Sequence, residues 1–234
     1  MGAQYSETGS SGAAERTFTK RSTMGNHIAT GNGKTDLENI LEIRAKLQTM
    51  LKPARYEHSL SVSFTCICLA MRYGVDLHQA ELAGLVHDCA KQFSNEELLK
   101  ACAQDGVALT EDMLRAPQVI HSVYGATYAR TCFGIEDPEI LSAIYFHTLG
   151  KPDMSLLEAI VFTADYIEAR RDKATRLPEI RQLAFTDLER AVYEINHDTI
   201  HYLEASGGYI CKDSYDTYQY YRTRMQERGL TVSD

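Results

Sequence analysis

A His–Asp pair ends an apolar stretch in the first half of the chain. His87 and Asp88 follow the sequence Ala-Gly-Leu-Val, and Lys91 lies three residues further on. Burying an Asp beside a His costs several kcal/mol unless a partner compensates for the lost hydration. A divalent metal is such a partner, because it accepts a neutral imidazole and a carboxylate together. The pair therefore predicts a metal site, with the Lys91 ammonium one helical turn away to neutralise charge beside it.

Other polar residues interrupt apolar helical patterns elsewhere in the chain. Arg55 precedes His58 by three residues, so the two side chains share one helix face. His121 begins a predicted helix, His147 ends another, and Asp165 interrupts an apolar run. A single His of this kind is more often a packing residue than a ligand. A full set in separate helices, together with the His–Asp pair, favours one shared site.

A second His–Asp pair occurs near the C-terminus. His197 and Asp198 are adjacent, and His201 follows at the i+4 spacing that suits two metal ligands. The neighbouring Glu194 and Asn196 are polar, however. We therefore interpret this segment as a solvated helix face and not as a metal site.

Helical periodicity extends from residue 36 almost to the C-terminus. Caps, prolines and capping boxes predict helix starts at Asp36, Pro53, Asp76, Ser94, Val119, Asp137, Ser155, Pro178 and Ser214. The helix after Ser155 is predicted to reach about Arg170, and one long helix is predicted over 178–205. No useful alternating strand pattern occurs. The predicted fold class is all-α, a compact orthogonal helical bundle.

Residues 1–35 differ in composition from the rest of the chain. They contain six Gly and ten Ser or Thr, but Ile28 is their only aliphatic residue larger than Ala apart from two Met. Such a segment cannot bury enough apolar surface to fold alone. We predict a disordered N-terminal extension, 1–35, ahead of one folded domain, 36–228.

The overall charge limits the classes of partner. With 24 basic and 32 acidic side chains the formal net charge is −8, which argues against nucleic acid as a main partner. No stretch has the ~20 apolar residues that a membrane span needs. The N-terminus lacks the apolar core of a secretory signal, so the six Cys are expected to be reduced and the protein cytoplasmic.

The segments around these polar residues carry a resemblance that extends over about residues 37–225. They read Arg55-x-x-His58-Ser, Ala83-Gly-Leu-Val-His87-Asp88-Cys-Ala-Lys91, His121-Ser-x-x-Gly125-Ala126, His147-Thr148-x-Gly150 and Ala164-Asp165-Tyr-Ile-Glu168-x-Arg170-Arg171. The order H…HD…D resembles the HD-domain superfamily of metal-dependent phosphohydrolases. The flanking residues resemble its YqeK-type subfamily.

The resemblance implies an all-α HD-type domain that hydrolyses diadenosine tetraphosphate symmetrically to two ADP. It also implies a bound divalent metal, most naturally iron, with Mn or Mg as alternatives and one or two ions in total. The implied metal ligands are His58, His87, Asp88 and Asp165.

Further roles are assigned on the same basis. Asp88, Lys91, His121 and His147 are the expected catalytic residues. The expected substrate-binding residues are Arg55, Asp88, His121, His147, Thr148, Arg171, Gly208, Tyr209, Ile210, Cys211, Lys212 and Asp213. His121 and His147 either protonate the leaving phosphate or ligate a second metal, and the sequence leaves both roles open.

Two other functions are compatible with the same residues. One is another HD nucleotide phosphohydrolase, such as a nucleotidase or a guanosine polyphosphate hydrolase. The other is a non-catalytic metal or nucleotide sensor, although a sensor has no need for an open metal site with cations beside it. A small-molecule nucleotide is the expected partner in each case, and the sequence is compatible with a homodimer.

Overall fold

The computed structural model describes residues 36–232, and the predicted extension 1–35 lies outside that part. The described residues contain α-helices and short 3-10 turns and no strand. The helices are α1 Asp36–Met50, α2 Pro53–Tyr73, α3 Leu77–Val86, α4 Asn95–Gln104, α5 Glu111–Arg115, α6 Ile120–Phe133, α7 Pro138–Phe146, α8 Leu156–Ile167, α9 Leu177–Thr186, α10 Leu188–Ser206 and α11 Lys212–Glu227. The prediction of an all-α fold is confirmed.

The helix boundaries follow local capping chemistry. Ser94 and Ser155 form capping boxes with Glu97 and Glu158, in which each side chain bonds the other residue's backbone N–H. The Asp76 side chain accepts a hydrogen bond from the Gln79 backbone N–H and so caps α3. These predicted starts are therefore correct, because each depends on residues only three positions apart.

The predicted long helix over 178–205 is wrong. The chain forms two helices there, α9 and α10, because Asp187 leaves the helical conformation with φ −150° and ψ 86°. Its side chain then accepts a hydrogen bond from the Arg190 N–H and starts the new helix. In a similar way α8 ends at Ile167 and not near Arg170, since Glu168 has an extended ψ of 156°.

The core lies among α2, α3, α7 and α8, with α6 and α10 packed outside them. At Gly84 of α3, an added Cβ would lie 2.8 Å from Cys66 Sγ and 2.9 Å from Ser63 Cα of α2. Glycine therefore permits α2 and α3 to approach closely. This contact places the C-terminal end of α3, where His87 and Asp88 follow, against the helix that carries His58.

No helix in the described part of the chain is both long and apolar enough to cross a bilayer.

Candidate metal and nucleotide site

His87 and Asp88 lie at the end of α3, before the 3-10 turn Cys89–Gln92. Both are buried, with 0% and 2% of their surface exposed. His87 Nδ1 lies 2.7 Å from the backbone oxygen of Gly84. Because a carbonyl only accepts, Nδ1 donates the proton and the lone pair is on Nε2. Nε2 lies 3.4 Å from Asp88 Oδ2, so the pair presents its acceptor atoms to one place.

His121 and His147 repeat this arrangement from α6 and from the C-terminus of α7. Their Nδ1 atoms donate to the carbonyls of Gln118 at 2.6 Å and Ile144 at 2.7 Å. Their Nε2 atoms lie 3.2 Å apart, and they are 3.2 and 3.6 Å from Asp88 Oδ1. The backbone therefore orients both imidazoles toward the same carboxylate oxygen.

His58 and Asp165 complete the cluster from α2 and α8. His58 Nε2 lies 3.0 Å from Asp165 Oδ1 and 3.8 Å from Asp88 Oδ2. On the other side of the ring, Nδ1 lies 3.2 Å from Glu168 Oε1. The six residues, which come from five different segments of the chain, thus meet at one place in the fold.

The chemistry of the cluster fits a divalent metal. His58 Nε2, His87 Nε2 and Asp88 Oδ1 are buried and have no hydrogen-bond partner. Such atoms are costly unless something binds them. Within the described part of the chain, three sets have ligand atoms that all lie within 4.8 Å of one another: His58, His87 and Asp88; His87, His147 and Asp165; and Asp88, His121 and His147. Imidazole nitrogens with carboxylate oxygens suit several divalent ions.

The electrostatics of the cluster favour the protonation states that metal ligands need. Burial raises the pKa of Asp88, but attraction to His87 and the close approach of the His121 and His147 rings outweigh it, so the pKa lies well below its usual value. Burial likewise raises the pKa of Asp165, and contact with His58 lowers it further than burial raises it. Burial lowers the pKa of His121 to about 4, although Asp88 opposes this. The carboxylates are therefore ionised and His121 is neutral near pH 7.

Three cationic side chains stand beside the two carboxylates. Arg55 Nη1 lies 2.6 Å from Asp88 Oδ2, and Arg171 Nη2 lies 2.8 Å from Asp165 Oδ1. Desolvation lowers the pKa of Lys91, which attraction to Asp88 partly offsets and repulsion from Arg55 and Arg171 reinforces. Three cations thus stand beside the carboxylates of the cluster, in a chain whose overall charge is negative.

The remaining predicted substrate residues lie around His147 and in the loop before α11. Thr148 Oγ1 is 3.4 Å from His121 Nε2. In the loop 208–213, Cys211 is buried and shares an apolar cluster with Leu149, whereas most of the other residues are exposed. Tyr209 and Lys212 bond Asp112 of α5 and not the His and Asp cluster. The loop is therefore a neighbour of the cluster and not a part of it.

Glu168 belongs to the site but received no role from the sequence. It is 3% exposed and accepts hydrogen bonds from His58 and from the Arg170 backbone N–H. Burial raises its pKa, yet hydrogen bonds from Ser61, Arg170 and His58 lower it below the usual value. Its position three residues after Asp165 was a signal, because i and i+3 lie on one helix face.

The second His–Asp pair is not a solvated helix face, so that interpretation is wrong. Glu194 and Asn196 are buried, and Asp198 is half-buried with an Arg176 Nη2 contact of 2.6 Å. Arg176, the residue before α9, also bonds Glu194 at 2.8 Å and so provides a partner for both acids. His197 belongs to none of the metal-competent sets in the described residues.

An all-α bundle that brings H…HD…D side chains into one buried cluster defines the HD-domain class. Residues 55–170 match the family described as HD domain. A protein from Halalkalibacterium halodurans named "Bis(5'-nucleosyl)-tetraphosphatase, symmetrical" is 37% identical over 75% of this chain and 95% of its own length. The chain belongs to the HD-domain family.

Two further proteins show to which subfamily the chain belongs. A Bacillus subtilis protein with the same name is 34% identical over 76% of this chain and 95% of its own length. The crystal structure of a predicted HD superfamily hydrolase involved in NAD metabolism, from Clostridium acetobutylicum, aligns with a TM-score of 0.76. It is 37% identical and covers 78% of this chain and 96% of its own. Within the HD family, this is a member of the YqeK-type subfamily.

Proposed function

We propose that the protein is a symmetrical bis(5'-nucleosyl)-tetraphosphatase that converts diadenosine tetraphosphate and water into two ADP. The observation that supports this most directly is the buried His and Asp cluster with Arg55, Lys91 and Arg171 beside it. A metal-competent centre next to concentrated positive charge suits a small polyanion. Relatives with this activity in their names match over 95% of their length.

The reaction consumes one water and breaks one P–O bond. The water oxygen bonds to one of the two central phosphorus atoms, and the bridging oxygen leaves with the other, as the terminal phosphate of the second ADP. His58, His87, Asp88 and Asp165 would hold a divalent metal, which when bound would make hydroxide available near neutral pH and would neutralise phosphate charge.

The chain's own cations position the substrate. Arg55 and Arg171 lie against the carboxylates of Asp88 and Asp165, so a polyphosphate at the cluster is within reach of both guanidinium groups. Arginine binds phosphate oxygens through a planar set of donors, and Lys91 adds a point charge. These groups stabilise the charge that develops on the phosphoryl oxygens.

The geometry supports the two-ion version of the site. Asp88 Oδ2 faces His58 and His87, whereas Asp88 Oδ1 faces His121 and His147. One carboxylate can therefore serve two ligand sets. Because His121 and His147 donate their Nδ1 protons to carbonyls, their Nε2 lone pairs are available as ligands.

Three finer statements stay predictions. They are iron as the native metal in preference to Mn or Mg, a homodimer, and a cytoplasmic location. Metal analysis of the purified protein, with reconstitution in Fe(II), Mn(II) and Mg(II), tests the first.

Removing a ligand tests the centre itself. We expect Asp88→Ala and His87→Ala to lose bound metal and to reduce ADP release from diadenosine tetraphosphate about a thousandfold or more. Metal content is measured by elemental analysis and ADP by chromatography. His197→Ala is the matched control, because it alters the other His–Asp pair, and it should retain both properties. Full activity of Asp88→Ala without bound metal would contradict the proposal.

The products separate this function from its rivals. Symmetrical cleavage gives ADP alone, whereas a nucleotidase gives inorganic phosphate. Tight nucleotide binding without turnover in any of the three metals would favour a sensor.

A further inference from the structure

A carboxylate from a helix that is far away in sequence forms hydrogen bonds with the loop that precedes α11. Asp112 lies in α5, about a hundred residues before this loop. Its Oδ1 accepts a hydrogen bond from the Tyr209 hydroxyl, and its Oδ2 accepts one from the Lys212 backbone N–H at 2.6 Å. Cys211, the residue at the N-cap of α11, makes no capping hydrogen bond with its own side chain. Asp112 therefore replaces the missing N-cap of α11.

The held loop lies next to the segments that carry two of the imidazoles. Cys211 shares one buried cluster with Met113, Val119, Val123 and Leu149. Val119 and Val123 stand two residues to either side of His121, and Leu149 stands two residues after His147. The Thr217 hydroxyl oxygen of α11 also lies 3.2 Å from the Leu149 carbonyl oxygen. The loop position is thus coupled by packing to the site.

The charges around the loop disfavour a phosphate there. A helix N-terminus attracts anions, but at α11 the Asp112 carboxylate already occupies that position, and Asp213 lies in the first turn. The Lys212 ammonium is paired with Asp216. The cations beside the metal-competent cluster are instead Arg55, Lys91 and Arg171, two of which contact its carboxylates. If the phosphates of a nucleotide bind at the cluster, its uncharged nucleoside is therefore the part that would contact the loop.

We propose that Asp112 is a positioning residue, which holds loop 208–212, already expected to bind the substrate, in the conformation that receives the nucleoside. The inference rests on the proposed function, because it takes a nucleoside polyphosphate as the substrate. Without Asp112, the loop spends less time in the binding-competent conformation, and apparent affinity falls in proportion.

Binding of ADP and of pyrophosphate to the metal-loaded protein tests this role. For Asp112→Ala we expect the Kd for ADP, measured by calorimetry, to rise about five- to tenfold, as loss of a helix cap shifts the loop equilibrium. The Kd for pyrophosphate should change less than about twofold, because no nucleoside is present. KM for diadenosine tetraphosphate should rise with the ADP Kd, while kcat stays within about twofold.

Two variants keep the test specific. Tyr209→Phe removes only the hydroxyl contact and retains the ring, so ADP binding should weaken about two- to threefold even if Asp112→Ala folds poorly. Glu111→Ala removes the neighbouring exposed carboxylate of the same helix and should leave both Kd values unchanged.

The outcomes separate this proposal from the proposed function. Equal losses for ADP and pyrophosphate, unchanged ADP binding in Asp112→Ala, or no ADP binding by the wild type would each overturn the positioning role. If the wild type binds ADP and Asp112→Ala binds it more weakly, but diadenosine tetraphosphate is not cleaved, the positioning role stands and the proposed reaction is wrong.

Discussion

At the scale of single residues, backbone carbonyls and buried carboxylates decide which atoms face the site. His87, His121 and His147 all donate Nδ1–H to the carbonyl three residues earlier, which leaves each Nε2 free to bind a metal. His58 has no such carbonyl contact and uses Glu168 instead. The imidazole rings are thus oriented by two kinds of partner, a backbone carbonyl for three of them and a carboxylate for His58.

Glu168 is therefore predicted to control metal affinity. Replacing Glu168 by Ala removes the partner of His58 Nδ1, so we expect the metal Kd to rise about 10- to 100-fold. Glu168→Gln keeps an oxygen that can accept the hydrogen bond and should lose less. Competition with a chelator measures these affinities.

Asp172→Ala provides the comparison for this experiment, because it removes an exposed carboxylate only four residues away. An equal loss of metal in that variant would mean that general charge, and not the contact with His58, determines the affinity.

At the scale of helices, caps explain both the correct and the incorrect boundaries. The capping boxes at Ser94 and Ser155 are contiguous patterns and were predictable. The break at Asp187 was not predictable from periodicity, since apolar positions continue across it. Arg228, at the end of α11, donates to Asp187 Oδ1 at 3.1 Å and helps to hold this acid at the junction.

We expect Asp187→Ala to lower the free energy of unfolding by about 1–2 kcal/mol, because α10 loses its N-cap and Arg228 loses a partner. Urea denaturation measures the change. Thr186→Ala, at the exposed neighbouring position, should stay within about 0.5 kcal/mol of the wild type. Similar stability of the two variants would show that the Asp187 cap contributes little.

At the scale of the whole molecule, the acidic surplus and the cationic site have separate locations. The net charge of −8 still argues against a broad nucleic-acid surface. Arg55, Lys91 and Arg171 are nevertheless gathered beside the cluster, where a small polyanion would meet them. The negative net charge therefore disfavours a large polyanion such as nucleic acid, but it does not exclude a small anionic ligand at these cations.

Metal removal should destabilise the whole fold, because the ligands His58, His87, Asp88 and Asp165 come from α2, α8 and the end of α3. At a metal concentration of about 100 times Kd, binding stabilises the native state by about 2.7 kcal/mol. For a domain of this size we expect a chelator to lower Tm by roughly 5–10 °C.

The matched measurement uses Asp88→Ala, in which a chelator should have a much smaller effect on Tm. If a chelator leaves the Tm of the wild type unchanged, a metal bound by ligands from several helices is contradicted.

The sequence by itself determined the helical class, most helix starts, the family and the residues of the cluster, because caps, periodicity and motifs are local patterns. Only the tertiary structure decided that Asp88 faces two sets of imidazoles, that Glu168 orients His58, and that Asp112 caps α11. Those contacts join residues up to about a hundred positions apart, so they depend on helix packing. Packing also places Glu194 in the interior, where its carboxylate pairs with Arg176. From its polarity alone, Glu194 was predicted to face solvent.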